Sequence, residues 1–142
     1  MIRPLDPSDY ESWLPLWTRN CLNRIGDDVT AQTWARICDP GSAVKGLAAH
    51  RDGRMAGILH YIVHPTTGSL FPACYMQDVF VDEAFRRQGV AKALILALTE
   101  IGRKERWARL YWVADAKNTA AQTLYKTLGI RLDFTLHVLP LA

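Results

Sequence analysis

The chain has 142 residues, 49% apolar and 22% charged, with 17 lysines and arginines against 14 acids and a formal charge of +3. That length and balance suit one ordered domain with one core, residues 1–142, and do not suit a disordered chain. The basic excess is too small to imply nucleic-acid binding, and no apolar stretch approaches the roughly 20 residues that a membrane helix needs.

In chain order, Ile2-Arg3-Pro4-Leu5 reads as a short edge strand, where proline is tolerated. Asp6 or Ser8 is placed to cap a helix whose apolar residues fall at Tyr10, Trp13, Leu14, Trp17 and Cys21. The two tryptophans, one turn apart, are read as core. Asn23 to Asp28 reads as a loop, and Thr30 to Ile37 as a short helix closed by Asp39-Pro40-Gly41. Strands are expected at Val44–His50 and Met55–Val63, joined by the Asp52-Gly53 hairpin signal, and then at Cys74–Val81. Val90–Ile101 has apolar residues at Val90, Leu94, Ala97, Leu98 and Ile101, the stripe of an amphipathic helix. Leu110–Ala114 reads as a strand and Asn118–Leu128 as a helix with Gly129 at its C-terminal cap. Leu132–Leu139 alternates and is expected to be the last strand. The order predicts an α/β fold of mixed α+β type, a sheet with helices on both faces.

The informative stretch is Asp78-Val79-Phe80-Val81-Asp82-Glu83-Ala84-Phe85-Arg86-Arg87-Gln88-Gly89-Val90-Ala91-Lys92. A β-branched strand runs through a loop with two arginines straight into a helix. The free N–H groups and positive dipole end of a helix start make an anion site. Gly89 lets the backbone approach a phosphate without a Cβ in the way, and Ala91 is the next smallest residue. Arg86 and Arg87 can add charge-assisted hydrogen bonds. An ordinary helix start with surface arginines explains the loop equally well when it is taken alone. Neither a Walker A loop nor G-x-G-x-x-G is present, which weighs against nucleoside triphosphates and dinucleotides.

Arg86-x-x-Gly89-x-Ala91 after a strand resembles motif A of the GNAT superfamily of N-acetyltransferases, (Gln/Arg)-x-x-Gly-x-(Gly/Ala). Leu110-Tyr111-Trp112-Val113-Ala114, with Asn118, Ala121, Leu124-Tyr125 and Leu128-Gly129, is similar to motif B, and Gly57-Ile58-Leu59-His60-Tyr61 to the family's third strand. The resemblance covers nearly the whole chain, least distinctively its first 45 residues. Tyr75-Met76-Gln77-Asp78-Val79-Phe80-Val81 looks closest to the polyamine and histone-type enzymes. It implies a GNAT-like fold with a mostly antiparallel mixed sheet of six to seven strands and about four helices. It also implies acetyl-CoA as cofactor, its pyrophosphate at Arg86, Arg87, Gln88, Gly89, Val90, Ala91 and Lys92. Val79 and Val81 would pair with the pantetheine arm, and Asn118 would contact it while capping its helix.

Direct attack of an amine on the thioester sets three tasks. The amine must shed a proton, since an alkylammonium has a pKa near ~10.4. The oxyanion needs donors, expected from the Val79 N–H at a strand bulge. The departing thiolate benefits from a proton, and the resemblance assigns that role to Tyr125, which on residues alone is also a core position. Asp78 is the candidate for the amine proton and is equally a structural carboxylate. Gln77 stands where polyamine enzymes often carry glutamate, which puts a dedicated base in doubt. Asp27 and Asp28 can attract a cationic acceptor or be solvated turn residues, and Trp34 or Tyr75 can wall a pocket or pack in the core.

The expected acceptor is a small primary amine, a polyamine or amino-acid-like compound. A protein or peptide acetyltransferase and an idle acyl-CoA-binding module are the alternatives. The three cysteines (Cys21, Cys38, Cys74) form no C-x-x-C pair and read as buried free thiols. The four histidines show no metal-ligand spacing, so no metal is expected. Met1-Ile2-Arg3-Pro4-Leu5-Asp6 has no signal-like apolar run, so a cytoplasmic location is the expectation. The family resemblance brings the expectation of a homodimer.

Overall fold

In the computed structural model, which describes all of residues 1–142, five strands form one sheet. They are Ile2–Pro4 (β1), Val44–Arg51 (β2), Arg54–His64 (β3), Ala73–Val81 (β4) and Leu110–Tyr111 (β5). The spatial order is the chain order, antiparallel throughout except for the parallel pair β4–β5. The helices are Tyr10–Asn20 (α1), Asp27–Cys38 (α2), Val90–Glu105 (α3) and Thr119–Lys126 (α4). The expected class and the helices on both faces are borne out.

Local chemistry sets these elements. Asp6 accepts the Ser8 N–H and Asp9 returns to the Asp6 N–H, a capping box that starts the chain toward α1. Arg3 clamps the buried Asp9 with two hydrogen bonds of 2.7 Å, tying β1 to that cap. Asp52 (φ +52°) and Gly53 (φ +74°) both take the left-handed conformation of a two-residue hairpin, joining β2 and β3 as expected.

Two cores lie on opposite sheet faces. Leu47, Leu59, Tyr61, Cys74 and Met76 pack under Val90, Leu94, Ile95 and Leu98 of α3. Full burial of each such aliphatic side chain stabilises by ~1.5–3 kcal/mol. On the other face Ala48, Met55 and Ile58 meet Trp13 and Leu16 of α1 and Ile37 of α2. Trp13 is fully buried, as its core reading has it, and stacks at 5.6 Å on Trp17, which is only partly buried and lines a cavity; Trp34 packs on Trp13 at 4.6 Å. Gly57 is required where α3 comes closest: a Cβ there would stand 3.0 Å from Val90 Cγ1 and 3.1 Å from the Phe80 carbonyl oxygen.

Five strands stand where six to seven were expected. Leu132–Leu139 carries no ladder, and Leu132, Phe134, Leu136 and Val138 are each more than half exposed. A strand exists only where a neighbour takes its N–H and C=O groups, and nothing in this chain does so for that segment. The fifth strand keeps only Leu110–Tyr111 of the expected Leu110–Ala114, because pairing with β4 stops at Tyr75 while β4 continues to Val81. Gly129 lacks the positive φ of a left-handed cap, although its N–H closes α4 on the Tyr125 carbonyl. Of the cysteines only Cys74 is buried; Cys21 and Cys38 are partly exposed, and all three are free.

Candidate active site

Pairing between β4 and β5 ends at Tyr75, which opens a wedge in the sheet. The loop after β4 ends at Gly89, whose φ of +76° is open to glycine with little strain and whose missing Cβ has nothing within 4 Å. The preceding Arg87 is also left-handed, at φ +62°. None of the turn bonds in this loop uses the N–H of Arg87, Gln88 or Gly89. The N–H groups of Val90, Ala91 and Lys92 lie in the opening turn of α3, where no intrahelical partner exists. The first N–H that the helix satisfies is that of Ala93, on the Gly89 carbonyl at 2.9 Å. No acid stands in this first turn. The result is an open row of donors at the positive end of a long helix, a fit for a pyrophosphate. Arg86 anchors the loop by donating from Nε to the Val81 carbonyl at 3.2 Å, and Gln88 donates to the Ala84 carbonyl at 3.4 Å.

On the α3 face of the wedge, Val79 and Val81 of β4 share a hydrophobic cluster with Trp112, Leu124 and Tyr125. Asn118 caps α4 by accepting the Ala121 N–H at 3.1 Å. The Tyr125 ring packs on Trp112 at 5.3 Å, and its hydroxyl bonds no group of the chain. Burial pushes its phenol pKa up, so the hydroxyl keeps its proton at neutral pH.

The other face is organised by a bulge. Leu59 pairs with Val79 and His60 with Asp78, but Tyr61 pairs with Met76, leaving Gln77 as the extra residue. The bulge therefore falls at Gln77 and not at Val79. It turns Asp78 toward α1, away from the valines. One Asp78 oxygen accepts from His60 Nδ1 at 3.0 Å and the other from Asn20 Nδ2 at 3.3 Å. Further along this face Tyr75 and Tyr111 lie 5.1 Å apart, and Tyr111 donates to His64 Nε2 at 2.7 Å. A cavity of about 130 Å³ between α1 and α2 is lined by Tyr10, Leu14, Trp17, Cys21, Asp27 and Thr30.

A family model described as the acetyltransferase (GNAT) family matches residues 7–130. The chain belongs to the GNAT acetyltransferase family. It is an acetyl-CoA-dependent N-acetyltransferase. It is 29% identical to the D-amino-acid N-acetyltransferase HPA3 of Saccharomyces cerevisiae, over 96% of this chain and 88% of that one. Its fold is similar to that of a ribosomal-protein-alanine N-acetyltransferase from Brucella melitensis biovar Abortus 2308, at TM-score 0.82 and 24% identity, covering 99% of both chains. It is also similar to the aminoglycoside acetyltransferase AAC(6')-Iy bound to a CoA bisubstrate analogue, at TM-score 0.85 and 22% identity over 99% of this chain and 96% of that one.

In this GNAT chain the expected residues do not share one place. Arg87 to Lys92 form the donor row, with Arg86 anchoring the loop before it; Val79, Val81, Asn118 and Tyr125 lie along the α3 and α4 face; Asp78 faces α1. Gln77 is exposed at the bulge. Asp27 and Asp28 do not lie in a loop: α2 begins three residues earlier than expected and takes both into its first turn, where acids suit the dipole. Asp27 lines the cavity, whereas Asp28 is occupied by the Val29 N–H at 2.9 Å. The sequence reading missed the partners of Asp78. His60 and Asn20 are 18 and 58 residues from it. Only the strand register with its bulge brings them together, and that register has no signature in the residue pattern. No group of three or more His, Cys, Asp or Glu side chains comes together to hold a metal.

Proposed function

We propose that the enzyme moves the acetyl group of acetyl-CoA to the primary amine of a small amino-acid-like acceptor, by direct attack while both substrates are bound. The observation that carries this reading is the unpartnered, protonated hydroxyl of Tyr125 on the face that Val79 and Val81 share, with a carboxylate on the opposite face of the same strand. Amide formation needs an acid for the departing thiolate and an acceptor for the amine proton, and the strand carries one candidate on each face.

In this reading the N–H row from Arg87 to Lys92, with the side chains of Arg86 and Arg87, takes the pyrophosphate of the donor. Val79 and Val81 offer backbone groups to its pantetheine arm, and Asn118 contacts that arm from the start of α4. The Val79 N–H stabilises the developing oxyanion, and Tyr125 protonates the leaving thiolate. Asp78 holds the ammonium and receives its proton. Gln77 and Asp27 lie on the acceptor's side, Asp27 in a small aromatic cavity suited to a compact cation. The yeast relative acts on D-amino acids, which favours an amino acid over a polyamine as acceptor.

Thioester consumption measured with D- and L-amino acids, spermidine, an aminoglycoside and a lysine peptide tests the assignment. Turnover is expected fastest with an amino acid. Fast turnover with the peptide alone would make this a protein-modifying enzyme, and none with any amine would make it an acyl-CoA-binding module. The reading includes a homodimer, supported by the exposed alternating residues Leu132, Phe134, Leu136 and Val138. Sedimentation at micromolar concentration is expected to show twice the chain mass. The free cysteines favour action in the cytoplasm.

A further inference from the structure

We propose that His60 is a positioning residue for the amine half of the reaction, holding the Asp78 carboxylate in one orientation through a tautomer that Trp13 imposes. The inference rests on the reading of Asp78 as the group that receives the amine. Trp13 Nε1 lies 3.0 Å from His60 Nε2, and an indole N–H can only donate. Nε2 must therefore be the accepting nitrogen. In a neutral imidazole the proton then sits on Nδ1, which faces Asp78 Oδ2 at 3.0 Å and donates to it. Both groups that set this order are closed to water: Trp13 is 0% and the whole His60 residue 2% exposed. Water cannot replace the Trp13–His60 bond, and ring rotation would leave the indole N–H without an acceptor.

The arrangement fixes the carboxylate from two sides. His60 on β3 serves one oxygen and Asn20 at the end of α1 serves the other, so each oxygen keeps lone-pair capacity for a substrate N–H. The bulge at Gln77 belongs to the same device. With regular alternation from Met76, Asp78 would face α3 and miss His60 altogether. The chain of bonds also ends at Trp13. A proton on His60 Nε2 would set two N–H donors against each other at 3.0 Å in a dry site. His60 is therefore not a store for the substrate's proton. A proton passing from the ammonium to Asp78 converts the carboxylate to the acid and leaves the neutral amine. It then departs through the solvent-facing side of Asp78, which is 20% exposed, and not inward.

The test uses the full chain labelled with ¹⁵N-histidine. Long-range proton–nitrogen spectra report which ring nitrogen carries hydrogen, and the spectrum of His60→Asn assigns the signal. The expected His60 ring is protonated at Nδ1 alone at neutral pH; a ring protonated at Nε2, or at both nitrogens, overturns the proposal. This readout does not depend on activity. In amine kinetics His60→Leu is expected to lower kcat/KM about 10-fold, with acetyl-CoA affinity unchanged, if orientation of the acceptor is what it loses. His60→Asn, which can still donate to Asp78, should recover most of that loss. Added to Asp78→Asn, His60→Leu should cost nothing further, because the two act as a unit. Losses that multiply, or a native rate in His60→Leu beside a slow Asp78→Asn, overturn the positioning role and leave the reading of Asp78 standing. A native rate in Asp78→Asn overturns that reading and the positioning role together. If His60→Leu does not fold, Trp13→Phe replaces it: a ring no longer limited to a hydrogen on Nδ1 alone and slower amine turnover are expected, and an unchanged ring with native kinetics overturns the proposal.

Discussion

Tyr125→Phe isolates one oxygen atom. The ring packs on Trp112 at 5.3 Å and against the main core, and phenylalanine keeps both contacts. The hydroxyl has no partner in the chain, so its removal leaves no group unsatisfied, and stability should change by less than ~0.5 kcal/mol. Catalysis should change far more. A positioned general acid typically contributes ~100- to 10,000-fold, and water entering the vacated volume recovers part of that. Turnover should therefore fall at least ~10-fold, which is ~1.4 kcal/mol of barrier. Burial raises the Tyr125 pKa above its ordinary value of 10.0, so no alkaline loss of rate below that pH belongs to this group. The assay is thiol release under saturating acetyl-CoA, with binding of the donor measured in parallel. The deficit should shrink with a thioester whose thiol is more acidic than CoA, since a better leaving group needs less help. A native rate with an amine whose chemical step is rate-limiting would refute the assignment and make Tyr125 a packing residue.

Gly57→Ala puts a Cβ 3.0 Å from Val90 Cγ1 and 3.1 Å from the Phe80 carbonyl, at the point where α3 meets the sheet. A loss of ~1–3 kcal/mol is expected in urea unfolding, together with weaker CoA binding as the donor row shifts. Unchanged values of both would show that the helix start is not held there. Asp9→Asn tests the clamp at the other end of the chain. The Arg3 hydrogen bonds hold the Asp9 carboxyl below its ordinary pKa of 3.8, against the opposing effect of burial. A depressed pKa adds stability above the unfolded value and forfeits it as pH falls through the folded one. Native protein should thus exceed Asp9→Asn by ~1.5–3 kcal/mol at pH 7. That gap should close below about pH 4, and a gap constant from pH 7 to pH 2 would contradict the charge argument.

Most of the scaffold was legible because it is written locally. The α3 stripe and the Asp52-Gly53 turn each depend on residues a few positions apart, and each formed where the pattern put it, while the Asp6 cap closes the short 3-10 turn Pro7–Asp9 just ahead of α1. The helix start at Val90 was legible for the same reason; the positive φ of Gly89 just before it was not foreseen. The acceptor side was not legible. Asp78 was visible as a residue, but its facing depends on a one-residue bulge and its partners come from β3 and α1. The terminal segment misled for the opposite reason. Its alternation is a sound strand signal, yet pairing needs a second backbone, and this chain provides none for Leu132–Leu139. Asp27 and Asp28 misled on a smaller scale, because Gly26 with extended backbone opens α2 three residues before the apolar pattern begins.

Calorimetric titration of CoA into native protein and into Gly89→Asp tests the account most directly. The native φ of +76° strains any side chain, and a carboxylate there sets like charge against the pyrophosphate at the centre of the donor row. Loss of several charge-assisted hydrogen bonds should weaken binding by at least ~100-fold, or ~2.7 kcal/mol. Acetyl-pantetheine, which lacks the pyrophosphate, should bind the two proteins alike. Native CoA affinity in a folded Gly89→Asp protein would contradict the assignment of the loop from Arg86 to Lys92.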